Sequence, residues 1–233
     1  MEINNSIEDI DINFLCSKNE VLKKWLRNFP LSVRTNVKNI LSIDSENPEL
    51  DLEISDFFKN CKKYYIVQSD YDYYKESVEK LFGKFNFKVS YCDILDYELD
   101  PNIEYDLIIF YTNFDFDEDI TSFIETVFKF LSKDGQILII TCTNDKFVLE
   151  AREYFDLKFI SDKEIKEKIL FDGRIFNTHI STFLNINKLN KKEMLKLTNK
   201  DISDSKIDEF KKYAIKKYGD YVNVPISILI IKK

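Results

Sequence analysis

The sequence predicts an α/β protein built on a doubly wound, seven-stranded, mostly parallel sheet, and three features of the chain carry that expectation. Five short apolar segments alternate with stretches of helix length over the first two thirds of the chain. Two of them, Leu107-Ile-Ile-Phe-Tyr111 and Ile137-Leu-Ile-Ile140, are almost continuously apolar, as strands covered on both faces are. Two further strand-like runs come late, separated by one polar helical stretch.

In order, the apolar residues Val21, Leu22, Trp25, Leu26 and Phe29 recur at helical spacing, so 19–29 reads as a leading amphipathic helix stopped by Pro30. The five core strands are expected over 39–43, 64–67, 87–91, 106–111 and 136–141, with crossover helices over 50–60, 71–82 and 120–131. The third of these helices is expected to stop at Lys133-Asp134-Gly135. A helix over 145–154 follows, and Ser161 with Glu164 has the spacing of a capping box opening a short helix to Leu170. The runs 178–186 and 225–231 read as the last two strands, with a Lys-rich helical stretch over 191–218 between them. The chain therefore reads as a single domain over 1–233, with an N-terminal helical cover over 1–36 and a helical insertion over 187–220 before the last strand.

A chain of 233 residues has ample length to bury one core. A net charge of −7 argues against a polyanion-binding surface, so nucleic acid is a poor substrate class. No run approaches the roughly 20 apolar residues that span a bilayer, and the start lacks the basic then apolar pattern of a secretory signal, so a cytoplasmic protein without membrane contact is expected. Cys16, Cys61, Cys92 and Cys142 have no CxxC spacing and read as free thiols. With His179 as the single histidine, no His-based metal site is expected.

Several segments together resemble the class I S-adenosylmethionine-dependent methyltransferase fold, a Rossmann-like architecture, and within it the histamine N-methyltransferase-like group. They are Ile40-Leu-Ser-Ile with Glu49-Leu-Asp-Leu-Glu53, Tyr105-Asp-Leu-Ile-Ile, Phe128-Lys-Phe-Leu with Gly135-Gln-Ile-Leu-Ile-Ile140, Ile160-Ser-Asp-Lys-Glu-Ile165, and Ile226-Ser-Ile-Leu-Ile-Ile231. The resemblance implies an S-adenosylmethionine cleft at the carboxyl ends of the first, second and fourth strands. The lining residues would be Asp44, Ser45, Glu46, Ser69, Asp70, Asp93, Ile94, Tyr111 and Thr112. It also implies methyl transfer to a small-molecule nitrogen or oxygen nucleophile beneath a helical lid, with Tyr111 and Asn223 as catalytic candidates.

The chain departs from that pattern at the first loop. Family members carry glycines where this chain has Asp44, Ser45, Glu46 and Pro48, which changes both shape and charge. A second carboxylate about 4 Å from the cofactor's own costs on the order of 4 kcal/mol at an effective dielectric near 20. The ribose-binding acid of the second strand aligns with Ser69, with Asp70 one residue later, where it reads equally as a helix N-cap. The acidic substrate-binding residue of the leading segment falls near Ser17, which argues against histamine as substrate. Asn223 can polarise an acceptor amine or serve as a turn residue before Pro225.

Asp115, Asp117, Glu118 and Asp119 form an acidic loop that reads as a solvated turn or a cation-binding mouth. Tyr71, Tyr73 and Tyr74 read as core-packing residues, with adenine stacking as the alternative, and His179 reads as a packed or edge residue of a strand. Three readings of function stay open: an active methyltransferase, a diverged relative that binds a different ligand or serves as a partner subunit, and another reaction in the same cleft.

Overall fold

A computed structural model describes residue 26 and residues 36–45, 47–84, 86–93, 96–111, 119–143, 145–156, 161–169, 174–189 and 202–233. Apart from Leu26, the leading helix over 19–29 lies outside the described residues, as do Ser17, the candidate positions Glu46, Ile94 and Thr112, and the acidic loop residues Asp115, Asp117 and Glu118.

The described chain runs β1 (Asn39–Ile43), α1 (Pro48–Phe57), β2 (Lys63–Gln68), α2 (Tyr71–Leu81), β3 (Phe87–Tyr91), β4 (Tyr105–Tyr111), α3 (Asp119–Lys129), β5 (Leu131–Cys142), α4 (Lys146–Phe155), α5 (Asp162–Lys168), β6 (Arg174–Asn185), a short 3₁₀ turn, α6 (Asp204–Tyr218) and β7 (Tyr221–Lys232). Seven strands form one sheet in the order β3-β2-β1-β4-β5-β7-β6. β1 to β5 are parallel, and β7 inserts antiparallel between β5 and β6. β2 and β4 both pair with β1, one on each side, so the strand order reverses at β1 and β4, and the carboxyl ends of these strands are where an open sheet of this kind places a ligand.

Alternate residues of the central strands enter opposite layers, as a period of two requires. Ile40, Tyr64, Ile66, Leu107, Ile109 and Tyr111 join Leu50, Ile54 and Phe58 of α1 and its end in one core, which also includes Leu26. Leu41, Ile43, Val67, Ile108 and Phe110 join Phe123 and Val127 of α3 and Ile165 of α5 in another. A third cluster packs Phe147 and Phe155 of α4 and Phe210 of α6 against Val222 and Val224 of β7.

Element boundaries shift where capping decides them. α1 begins at Pro48, two residues before the expected start, because Asn47 caps the backbone N–H groups of Glu49 and Leu50 and a proline at the first position has no N–H to strand. The capping box forms as expected: Ser161 N–H donates to Glu164 Oε2 at 2.8 Å and Glu164 N–H to Ser161 Oγ at 3.3 Å, and α5 ends at Lys168. β6 starts at Arg174 and β7 at Tyr221, each earlier than expected, since the two strands pair along twelve positions and hold the polar ends in the ladder. Asn223 is therefore a strand residue opposite Phe183, not a turn residue.

Gly135 does not stop a helix. α3 ends at Lys129 and β5 starts at Leu131, where residues 132–135 bulge opposite Asp106 between the pairs Tyr105–Leu131 and Leu107–Gln136. Asp106 holds this irregularity, accepting from Lys38 N–H at 2.8 Å, Asn39 N–H at 3.0 Å and Ser132 Oγ at 2.8 Å. A Cβ on Gly135 would lie 2.8 Å from the Tyr105 carbonyl and 3.0 Å from that of Ser132. Both contacts are backbone, so Gly135→Ala is expected to lower unfolding free energy by about 2 kcal/mol in urea titration. An unchanged midpoint would show that the bulge yields freely.

Candidate functional site

Asp44, the residue after β1, has φ of 50°, the left-handed conformation that a glycine normally fills. The chain keeps the turn without glycine because aspartate tolerates this region when its short side chain bonds locally. Asp44 N–H donates to the Val67 carbonyl at 2.9 Å, and its Oδ1 accepts from Ser69 N–H at 2.8 Å and Ser69 Oγ at 2.9 Å. The carboxylate thus straps the end of β1 to the end of β2. Pro48, expected to distort the loop, instead starts α1 without strain at its N-terminus. Asp44 thus adopts a glycine's backbone conformation while adding a carboxylate.

Beneath the turn lies a buried polar network. Asp51 in the first turn of α1 is fully enclosed and accepts from Ser42 Oγ at 2.8 Å, Tyr64 Oη at 2.8 Å and Ser45 Oγ at 2.5 Å. Burial pushes the Asp51 carboxyl up to about 6, against the lowering effect of the three hydroxyls. Gln68, the last residue of β2, donates its amide to Ser45 Oγ at 3.2 Å. Ser45 is consequently turned inward, its hydroxyl engaged on both sides. Two atoms of this region have no hydrogen-bond partner among the described residues: Gln68 Oε1 and the hydroxyl of Tyr111 at the end of β4, both buried. Burial first, and then the nearby Asp51, raises the Tyr111 hydroxyl well above the ordinary tyrosine range.

Asp70 caps α2, its Oδ1 accepting from Asp72 N–H at 2.8 Å and Tyr73 N–H at 3.1 Å. Asp93 follows β3 and is exposed. The topology brings Asp44, Ser69, Asp70 and Asp93 together at the carboxyl ends of β1 to β3. Burial raises the Asp44 carboxyl above the usual range, the Ser69 bonds oppose that, and the charges of Asp93 and Asp70 add to it. Cys92, half-buried, is pushed up by burial and then by Asp44, Asp93 and Asp96, so its thiol is a poor nucleophile.

The tyrosines of α2 are not core residues. Tyr71 and Tyr74 stack at 6.1 Å, and Tyr91 from the end of β3 closes the group at 5.4 Å and 5.6 Å. Tyr71 and Tyr91 remain about half exposed, 51% and 52%, because β3 is an edge strand with no neighbour to cover them. Lys75 Nζ lies 4.3 Å from the Tyr71 ring centre. Tyr91 was not distinguishable in the sequence as a partner of this pair; the end-to-end alignment of Gln68 with Tyr91 brings it there.

Asn223 is exposed at the beginning of β7, which by its antiparallel pairing lies at the same sheet end as the carboxyl end of β5; Thr143 N–H reaches the Pro225 carbonyl at 3.4 Å. His179, on β6, bonds Asp162 Oδ2 at 3.0 Å. Asn177 and Ser227 also donate to that carboxylate, at 2.6 Å and 3.2 Å. Burial works against ionisation of Asp162, and these bonds overcome it and hold the carboxyl below its usual value. His179 therefore ties β6 to α5 rather than standing in the crevice as a free base. Among the described residues Cys61 and Cys92 are free thiols, no cluster of three or more His, Cys, Asp or Glu is arranged to hold a metal ion, and no helix is long and apolar enough to cross a membrane.

No protein-family profile matches the chain, and no curated protein matches it in sequence. Its similarity to solved structures is extensive. The N-methyltransferase NodS from Bradyrhizobium japonicum WM9, in complex with S-adenosyl-L-homocysteine, aligns over 99% of this chain and 93% of its own at 11% identity, with a TM-score of 0.59. The YcgJ protein from Bacillus subtilis aligns over 93% and 97% at 13% identity, with a TM-score of 0.65. Coclaurine N-methyltransferase, bound to N-methylheliamine and S-adenosyl-L-homocysteine, aligns over 97% and 75% at 14% identity, with a TM-score of 0.58. Identity at this level speaks to architecture alone, and with the strand order it is decisive there: the chain has the Rossmann-like fold of the class I S-adenosylmethionine-dependent methyltransferases.

Proposed function

We propose that the chain binds an S-adenosylmethionine-type sulfonium nucleoside at the carboxyl ends of β1 to β3 and acts as a methyltransferase on a small-molecule nitrogen or oxygen nucleophile. The observation that carries this reading is the retained left-handed turn at Asp44, set at the reversal of strand order and joined there by Ser69, Asp70 and Asp93. Carboxylates at the ends of β2 and β3 suit the hydroxyl and amino donors of a nucleoside, and the exposed faces of Tyr71 and Tyr91 suit its base. NodS and coclaurine N-methyltransferase, both solved with S-adenosyl-L-homocysteine, support the same ligand class. Asn223, exposed at the same sheet end, is the candidate for polarising the acceptor, and the sequence segments quoted above favour the histamine N-methyltransferase-like group. Glu46, Ile94 and Thr112 are kept as candidate lining residues.

The residues at the amino-acid end of the ligand do not fit a carboxylate. Pro48 supplies no N–H and Asn47 occupies those of Glu49 and Leu50, so the N-terminus of α1 offers an anion little. This favours, as a second reading, a diverged relative that binds a nucleoside or serves a protein partner without methyl transfer. Titration calorimetry and thermal shift with S-adenosylmethionine, S-adenosylhomocysteine and 5′-methylthioadenosine test the shared premise. Saturable binding of at least one is expected below millimolar concentration, and a methyl-transfer screen over small amines and phenols then separates the two readings. No heat and no thermal shift from any of the three at millimolar concentration would end the nucleoside reading.

A further inference from the structure

The nucleoside site is ill suited to an amino-acid carboxylate, and four features of it bear on this. First, Asp44 puts a carboxylate at the turn itself, pinned by Ser69 so that it cannot swing away without losing two hydrogen bonds. Second, Asp70 and Asp93 stand close enough to act on Asp44 electrostatically. Third, the N-termini of α1 and α2, which follow β1 and β2, are closed by the chain's own side chains: α1 by Asn47 and Pro48, α2 by Asp70. The positive poles that would attract an anion are therefore already capped. Fourth, the unpartnered atom of the Gln68 amide is an acceptor, Oε1, fully buried under this loop on the residue that precedes Ser69, and the Tyr111 hydroxyl across the switch point is also unpartnered. A buried acceptor with no donor among the described residues is open to an N–H or O–H from a ligand.

We infer that the site selects a cationic sulfonium nucleoside whose side arm ends in an ammonium group and bears no carboxylate, with Asp44 as the residue that sets this preference. The inference rests on the nucleoside reading above and specifies its ligand. An ammonium offers donors and positive charge to a site that holds acceptors and negative charge, whereas the α-carboxylate of S-adenosylmethionine would meet Asp44, and the N-termini of α1 and α2 beside it are already capped. Asp44 takes the left-handed conformation a glycine would, so the backbone at that position does not exclude the parent cofactor. Charge makes the distinction.

The test compares S-adenosylmethionine, its decarboxylated analogue and 5′-methylthioadenosine by calorimetry on the full chain at two ionic strengths. The decarboxylated analogue is expected to bind tenfold or more tightly than S-adenosylmethionine, with the gap narrowing at higher salt. Asp44→Asn keeps the left-handed turn and an oxygen that accepts from Ser69, so it is expected to fold normally and to bring the two affinities within about threefold. Equal or tighter binding of S-adenosylmethionine by the wild type would overturn the inference and leave the nucleoside reading standing. A preference that survives Asp44→Asn would remove Asp44 from the assignment. Absence of binding by all three, 5′-methylthioadenosine included, would instead overturn the nucleoside reading itself.

Discussion

Replacing Asp51 with alanine is expected to cost about 4 kcal/mol of unfolding free energy at pH 5 and roughly 1.4 kcal/mol less at pH 8. Asp51 is the common acceptor for Ser42, Ser45 and Tyr64, all enclosed, and its removal leaves three buried hydroxyls without that partner. The pH dependence follows from the direction of its titration. Burial raises the folded carboxyl to about 6 from 3.8. Between those values the folded chain holds a proton that the unfolded chain has released, so the contribution of Asp51 is fully present below pH 3.8 and is lost as pH rises through 6. The alanine variant lacks that slope. Urea titrations at both pH values measure it: a loss equal at pH 5 and pH 8 would reject the titration, and a loss under about 1 kcal/mol at pH 5 would reject the network as a source of stability. Because Ser45 hangs from this carboxyl and the Asp44 turn precedes it, the same variant is expected to loosen nucleoside binding.

Phe210→Ala is expected to cost about 4 kcal/mol, near the upper range for a buried aromatic. Its ring, 2% exposed, centres 4.8 Å from Phe155, 5.1 Å from Tyr154 and 5.8 Å from Phe147, and it belongs to the cluster that joins α4, α6 and β7. Phe82, 87% exposed after α2, provides the control, and its alanine variant should stay within about 0.5 kcal/mol of the wild type. Thermal and urea unfolding of both variants decide the matter. Comparable losses from the two would show that burial does not rank these residues.

The strands of this chain were legible because their residues answer to one local rule. Leu107 to Tyr111 and Ile137 to Ile140 are apolar on both sides, and only a strand between two helical layers can bury both. The Ser161 and Glu164 box was legible for a similar reason, since four consecutive residues hold all of its hydrogen bonds. Gly135 was misread because its role is set by Tyr105, thirty residues away in sequence, whose carbonyl leaves no room for a Cβ. The tyrosines of α2 were misread because their helical spacing resembles a core stripe, while an edge strand leaves that face without cover.

At the site, residue identity and residue role separated. Asp44, Ser69, Asp70 and Asp93 stood out as candidates from their positions after predicted strands, and strand order does gather them at one end of the sheet. The loss of the glycines and the gain of negative charge were facts of composition, fixed before any folding. That the loop would keep its left-handed turn, that Pro48 would open α1 without distortion, and that Ser45 would turn inward toward Asp51 depended on contacts between residues distant in space. Local periodicity and capping chemistry act through neighbours along the chain, so they can be read there. Hydrogen-bond partners, close backbone approach and burial depend on which elements meet across the sheet, and those are settled when the layers pack.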